Sequence, residues 1–179
     1  MLNVKTVKKL MGQNKWDIFV KGPDAIACMN DHTMMFRLSA QEAIELKSRK
    51  VSIVIDEDQY VKKERIFEQV VNNNKDSACT IKDTCLLLDC EDCEDNLLRV
   101  LQGPDNNRLV FVESTRYKLG LYISEKFITT HNCPLLGLSD LPGEPVNCLI
   151  APRLDEEATE YMCNKAHEII SCEGAVKSE

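Results

Sequence analysis

The residues best suited to chemistry are two cysteines near the middle of the chain. Cys90 and Cys93 stand two residues apart, and a zinc knuckle uses this spacing because two thiolates then converge on one tetrahedral ion. Four carboxylates surround the two sulfurs: Glu91, Asp92, Glu94 and Asp95. Their negative charge disfavours the thiolate form that a redox nucleophile needs. Two hypotheses follow, a zinc site at Cys90 and Cys93 or structural cysteines, and the second is favoured because no second CxxC or CxxH is present.

The histidines add two further candidates for metal or catalytic chemistry. On the predicted final helix, Glu160, Cys163 and His167 fall together at the border of an apolar stripe. We interpret them as a polar flank, because neighbours of such types at i and i+4 arise often. His131 lies in a long loop where Cys–His chemistry could assemble. The sequence contains no nucleophile elbow, P-loop, dinucleotide fingerprint or paired metal-carboxylate motif, so we expect a protein that is not an enzyme and needs no cofactor.

Two stretches are suited to binding a partner. Residues 89–95 carry five carboxylates, and residues 129–145 form the longest predicted loop, with three prolines and two glycines. Loops held on a packed scaffold are where binding residues concentrate. A stretch this acidic favours a basic protein partner, whose association salt would slow. The residues expected at this surface are Glu91, Asp92, Glu94, Asp95 and His131.

Basic residues that could contact phosphate occur in two helical segments. Lys5, Lys8 and Lys9 lie on the predicted first helix. Lys62, Lys63 and Arg65 lie near the start of a later one. Aromatic side chains do not alternate with these basic residues as a nucleic-acid stacking platform requires. We therefore favour a solvated helix face here and keep nucleic acid as the alternative partner.

Composition and charge limit the class of protein. The 179 residues include 44% hydrophobic positions, carry a net charge of −7 and contain nine cysteines, an odd number. No apolar run approaches the roughly 20 residues that a membrane span needs, and the N-terminus lacks the apolar block of a signal peptide. We expect a cytoplasmic protein with free thiols, no membrane contact and the character of a bacterial or phage accessory protein.

The secondary structure predicted from the sequence indicates an α+β fold. We expect an antiparallel or mixed sheet, two hairpin units and about five helices. Strands are predicted at 16–20, in a hairpin around residue 31, at 51–55, 78–81 and 85–89, and near 148. Helices are predicted at 4–11, 40–49, 63–72, 94–102 and 156–174, and Ser39 with Glu42 forms a capping box before the second helix. A second hairpin is predicted around Ser114. We expect one compact domain over 1–179, or two packed subdomains over 1–75 and 76–174, followed by a disordered tail at 175–179.

A weak internal repeat is visible in the sequence. Gly22, Pro23 and Asp24, then a hairpin, then Ser39 recur as Gly103, Pro104 and Asp105, a predicted hairpin and Ser124. A predicted short helix precedes each copy. Chance or shared turn chemistry is the favoured explanation. The alternative is a duplicated helix–strand–hairpin unit, an arrangement that loosely resembles the half-units of DNA sliding clamps over about half of the chain.

Three functional hypotheses therefore remain. The favoured one is a small, non-enzymatic protein that binds a protein partner, which includes a second copy of itself. The second is a DNA-associated accessory module with sliding-clamp-like half-units, as the resemblance implies. The third is a small zinc-binding protein that uses Cys90 and Cys93.

Overall fold

The fold is α+β, with five helices and two sheets among the described residues. The structure is a computed structural model that describes residues 2–72, 79–91, 96–103, 109–124, 126–129, 136–139, 145–153 and 156–176. The helices are α1 (Val4–Leu10), α2 (Ala40–Leu46), α3 (Glu57–Asn72), α4 (Ser114–Ile123) and α5 (Glu156–Val176). The strands are β1 (Trp16–Lys21), β2 (Asp24–Met29), β3 (Met34–Ser39), β4 (Val51–Val54), β5 (Cys79–Thr80), β6 (Lys82–Asp89), β7 (Leu97–Gln102), β8 (Leu109–Glu113), β9 (Lys126–Thr129), β10 (Leu136–Ser139) and β11 (Cys148–Ile150).

The larger sheet has eight strands in the order β4-β1-β2-β3-β11-β10-β9-β5. Its neighbouring strands are antiparallel except for β4, which pairs in parallel with β1, so the sheet is mixed. The smaller sheet is an antiparallel meander of β6, β7 and β8. A parallel neighbour requires a crossover connection, and α2 supplies it between β3 and β4.

The larger sheet contains a repeated unit of one helix and three strands. The first copy is α1 followed by β1, β2 and β3, and the second is α4 followed by β9, β10 and β11. The copies meet where β3 pairs antiparallel with β11, for example Phe36 opposite Cys148. The strand order from β1 to β9 is therefore symmetric about this junction, as an approximate two-fold axis requires.

The repeat has the helix–strand–hairpin content of the alternative that the sequence left open, but its second copy is not where the sequence placed it. The residues before Gly103 form β7 instead of a helix, and Ser124 follows α4 instead of a hairpin. Ser39 begins a helix whereas Ser124 ends one, so the matched serines are not equivalent. The recurrence of Gly-Pro-Asp in the sequence therefore does not mark the structural repeat, whose second copy spans 114–150.

Both faces of the larger sheet are covered. One face packs Trp16, Phe36 and Leu138 against α1, α2 and α4, and the three-stranded sheet adds Leu101 and Val112 to this main core. The opposite face packs against α3, whose buried side chains include Phe67 and Val70. The alternation follows from the strand period of two, because successive side chains point to opposite faces.

Two predicted elements have the wrong secondary structure. Residues 97–102 were expected in a helix and form β7, the central strand of the smaller sheet. Leu98 and Val100 face α5 while Leu101 faces the main core, so the strand is buried on both sides. A strand buried on both faces lacks polar alternation, which is why its leucines mimic a helical stripe.

The predicted second hairpin around Ser114 is a helix, α4. Its apolar residues alternate at Tyr117, Leu119, Leu121 and Ile123, which is the period of a strand. In the structure Leu121 is exposed, and buried Gly120 lies against the sheet instead. Tertiary packing overrides the local pattern here, as it often does for short segments.

The final helix α5 covers the outer face of the three-stranded sheet. Tyr161 of this helix is 67% exposed. The side chains that contact the sheet are Met162, Cys163, Ala166 and Ile169. The helix runs through Gly174 to Val176, including the first two residues of the expected tail, and 177–179 lie outside the described residues. Within the described ranges, no helix has the length and apolar character needed to cross a membrane.

Candidate functional site

The candidate site is the outer face of α1 and α4, the two helices of the repeat. Asn3 begins α1, because its side-chain Oδ1 accepts a hydrogen bond from the Thr6 N–H at 3.2 Å. Val7 is buried beneath the helix, whereas Lys5, Lys8 and Lys9 are exposed. Residues at i, i+3 and i+4 share a helix face, so the three lysines form one basic stripe.

The second helix, α4, starts directly where β8 ends. Glu113 at its N-cap makes no side-chain capping bond and instead pairs with Arg116 at 3.1 Å. Lys118 is exposed on the outer face. On the inner face, a Cβ at Gly120 would lie 2.9 Å from Ile150 Cδ1, so glycine permits the close approach of α4 to the sheet.

The two helices lie side by side and run antiparallel. The Asn3 N–H at the start of α1 donates to the Tyr122 hydroxyl near the end of α4 at 3.3 Å. At the other end, Met11 and Thr115 line the same small cleft. The helices therefore form one continuous surface, which we call the α1/α4 face. It displays Lys5, Lys8, Lys9 and Lys118, and neither helix contains a carboxylate.

Glu42 of α2 holds the start of α1 in place. The Leu2 N–H donates to Glu42 Oε1 at 2.7 Å, and the Ser39 N–H donates to Oε2 at 2.8 Å. The capping box expected at Ser39 and Glu42 is confirmed. Burial alone would raise the pKa of Glu42, but the hydrogen bonds from Ser39 and Leu2 outweigh it and lower that pKa. The charged carboxylate thus ties α2 and the start of α1 together.

Asp83 of β6 holds α4 in the same way. Its carboxylate accepts two bonds from the Arg99 guanidinium at 2.7 Å each, one from the Tyr117 hydroxyl at 2.6 Å and one from the Cys85 N–H at 2.8 Å. Burial would raise the pKa of Asp83, yet the bonds from Arg99 and Tyr117 lower it. Burial and the bond to Asp83 raise the pKa of Tyr117. These contacts link the smaller sheet to α4.

The charge of the α1/α4 face differs from the charge of α3 and of α5. The face carries only basic charges in a chain whose net charge is −7. The exposed side of α5 belongs to a helix with five glutamates and one lysine. On α3, acidic and basic residues are mixed, and Lys63 lies over the Phe19 ring while Glu64 pairs with Arg37. The basic surface is therefore local to the repeat.

The residues predicted to bind a protein partner are only partly described. Glu91 is exposed at the β6–β7 turn, beside exposed Asp89 at the end of β6. Asp92, Glu94, Asp95 and His131 lie outside the described residues. Their role in partner binding stays a prediction.

Of the two predicted zinc ligands, Cys90 and Cys93, the structure describes only the first. Cys90 is 7% exposed and packs with Leu88 and Leu98 under α5, while its N–H donates to the Asn96 carbonyl at 2.8 Å. Cys93 lies outside the described residues. Among the residues that the structure describes, no three Cys, His, Asp or Glu side chains are arranged to hold a metal ion.

The other cysteines and histidines whose side chains the structure describes lie in separate parts of the fold. Cys28 is buried, its Sγ lies 3.4 Å from His32 Nδ1, and burial raises its pKa. Cys85 of β6 is exposed. Its φ of 63° and the β-bulge between Asp83 and Leu87 turn it outward. On α5, His167 is exposed while Cys163 packs on the sheet, so they do not converge on one site.

Sequence reasoning missed the contribution of α4 to the basic surface. Lys118 was placed in a strand, so it could not be grouped with Lys5, Lys8 and Lys9. Nothing local distinguishes this segment as a helix, since Glu113 provides no side-chain cap. Only the repeat, which pairs α4 with α1, brings these residues to one face.

Comparison with protein-family models, with curated proteins and with solved structures finds no match to this chain.

Proposed function

We propose that this protein is a non-enzymatic accessory protein that binds the phosphate backbone of DNA through the α1/α4 face. The observation that carries the proposal is the row of exposed lysines on two adjacent helices that lack carboxylates, within an otherwise acidic chain. The repeated helix–strand–hairpin unit adds support, because this arrangement loosely resembles the half-units of DNA sliding clamps.

Phosphate binding fits the chemistry of this face better than base recognition does. Lysine is a flexible point charge that contacts phosphate without reading sequence. Tyr122 is the one aromatic side chain exposed on the two helices, so a base-stacking platform is absent from this described surface. We therefore expect sequence-independent binding that weakens steeply with salt, with a slope of about −0.9 per neutralised phosphate.

The test is a charge reversal on α1. Lys8→Glu together with Lys9→Glu should lower the affinity for labelled duplex DNA and reduce the salt slope by about 2, because two phosphate contacts are lost. The measurement is fluorescence anisotropy over a range of salt concentrations.

The matched control is a reversal of equal charge on α3. Lys62 and Arg65 are exposed on the helix that covers the opposite face of the larger sheet. Lys62→Glu together with Arg65→Glu should leave the slope near that of the unmodified protein. Equal losses from both pairs would show that only net charge matters, and an absence of DNA binding by the unmodified protein would refute the proposal.

A second candidate is a basic protein partner at the β6–β7 turn. Asp89 and Glu91 are exposed there, and opposite charge speeds association in a way that salt screens. Glu91→Lys with Asp92→Lys should slow binding to a basic partner co-purified from the native host, with the fold intact. A partner whose association rate ignores both this reversal and ionic strength would rule this candidate out.

A further inference from the structure

The contact between α5 and the three-stranded sheet differs from the other helix contacts. Of the twelve side chains described in α5, from 160 to 171, only Ala166 is buried. Met162, Cys163 and Ile169 are partly buried against the sheet. No hydrogen bond or ion pair joins the side chains of this stretch to the rest of the described chain. By contrast, Glu42 accepts a hydrogen bond from the Leu2 N–H at the start of α1, and Asp83 accepts one from the Tyr117 hydroxyl of α4.

The surface beneath α5 is apolar, and it is formed by residues outside α5. Leu88, Cys90, Leu98, Val100 and Phe111 form the outer side of the meander. The inner side of the same sheet belongs to the main core, which none of the described side chains of α5 enters. Release of α5 would therefore expose this surface while the main core keeps its packing. Units with few buried contacts open at lower free energy than the global unfolding of the chain.

The start of α5 is tethered close to the sheet it covers. The Arg153 N–H donates to the Phe111 carbonyl of β8 at 2.9 Å. Only two residues separate Arg153 from Glu156, where α5 begins. A connection of so few residues favours exchange of the following element between copies. An exchanged helix makes the same contacts on the second copy as it makes on its own chain, so exchange is a low-cost route to a dimer.

We propose that α5 is a detachable cover, and that the surface beneath it accepts the α5 of a second copy of this chain to give a helix-exchanged dimer. The second copy is the chosen occupant because its α5 presents the same Met162, Cys163, Ala166 and Ile169 that already fit this surface. The inference is independent of DNA binding, since it concerns the opposite end of the chain from α1.

One thiol reports on the opening. Cys90 lies buried under α5, whereas Cys148 is fully buried in the main core. With a maleimide reagent and peptide mass spectrometry, Cys90 should be labelled at least about tenfold faster than Cys148, because local opening is more frequent than global unfolding. Equal rates at the two cysteines would overturn the proposal.

Light scattering then tests the second copy as the occupant. The protein is incubated for as long as Cys90 needs to be labelled completely in a parallel sample. Its mass should then rise with protein concentration from 20.3 kDa toward twice that value. A mass that stays at 20.3 kDa at every concentration would overturn the proposal.

Variants of α5 test whether the dimer forms by exchange of α5 or through another contact between the two copies. Ala166→Glu should abolish the dimer and accelerate Cys90 labelling, because it places a charge against the apolar surface. Asn164→Glu, at an exposed position on the same helix, should do neither. Met162→Ala weakens the same contact without burying a charge, and Trp16 fluorescence verifies that the main core remains folded. A dimer that survives both Ala166→Glu and Met162→Ala would place the interface elsewhere and refute the exchange.

Discussion

Removal of the Asp83 carboxylate should destabilise the protein substantially. Asp83 accepts four hydrogen bonds, including a bidentate pair from Arg99, and joins β6 and β7 to α4 through Tyr117. The side chains of Asp83 and Arg99 are 27% and 20% exposed, so solvent screens the pair only in part.

The magnitude follows from what Asp83→Asn leaves behind. Loss of one partner from a fully buried ion pair costs about 3–5 kcal/mol, and the partial exposure here lowers that to about 2–3 kcal/mol. In a chain of this length the midpoint of thermal unfolding should fall by about 5–10 °C. Urea unfolding followed by Trp16 fluorescence and circular dichroism measures the free energy. Asp89→Asn, at an exposed position in the same strand, is the matched control and should change it by less than about 0.5 kcal/mol.

The pH dependence gives this prediction a second readout. The pKa of Asp83 is lowered in the folded protein, so its contribution to stability is present above the unfolded pKa of about 3.9 and is lost as pH falls toward the folded pKa. The difference between Asp83→Asn and the unmodified protein should therefore be largest near neutral pH and shrink below about pH 4. A cost under about 0.5 kcal/mol at neutral pH, or one that is equal at pH 3 and pH 7, would refute the assigned role of this carboxylate.

Three further predictions concern the same elements. Ser39→Ala should lower the free energy of urea unfolding by about 1–2 kcal/mol through loss of the cap. The sequence alone predicts that Ser39→Asp is nearly neutral, but it should cost more than Ser39→Ala because its carboxylate would lie beside that of Glu42. Equal stability of both variants and the unmodified protein would contradict this. Gly120→Val should cost about 1–3 kcal/mol, since α4 lies too close to Ile150 to admit a branched side chain, and unchanged stability would show that the sheet can yield. In thiol titration Cys85 should react at once and Cys148 slowly, with about nine thiols per chain after unfolding; fewer than six without reductant would indicate disulfides.

Local signals in the sequence were sufficient for several elements. The Ser39–Glu42 capping box, the β1 strand at Trp16 and the β2–β3 hairpin agree with the structure, because caps and alternating strands are encoded within a few neighbouring residues. The α+β class follows from the same local patterns. Three of the four lysines of the α1/α4 face were also identified, since Lys5, Lys8 and Lys9 share one helix.

The remaining features depend on contacts between residues far apart in the chain. Leu98 and Leu101 suit a helix or a strand equally well, and burial between α5 and the main core makes their segment β7. The α4 segment has the apolar period of a strand, and its helix is specified by the close packing of Gly120 on Ile150 and the bond from Tyr117 to Asp83. The pairing of β3 with β11 sets α4 beside α1, so Lys118 joins the other lysines only in the folded chain. No short stretch of sequence could predict this surface, because non-local packing decides between local conformations of similar free energy.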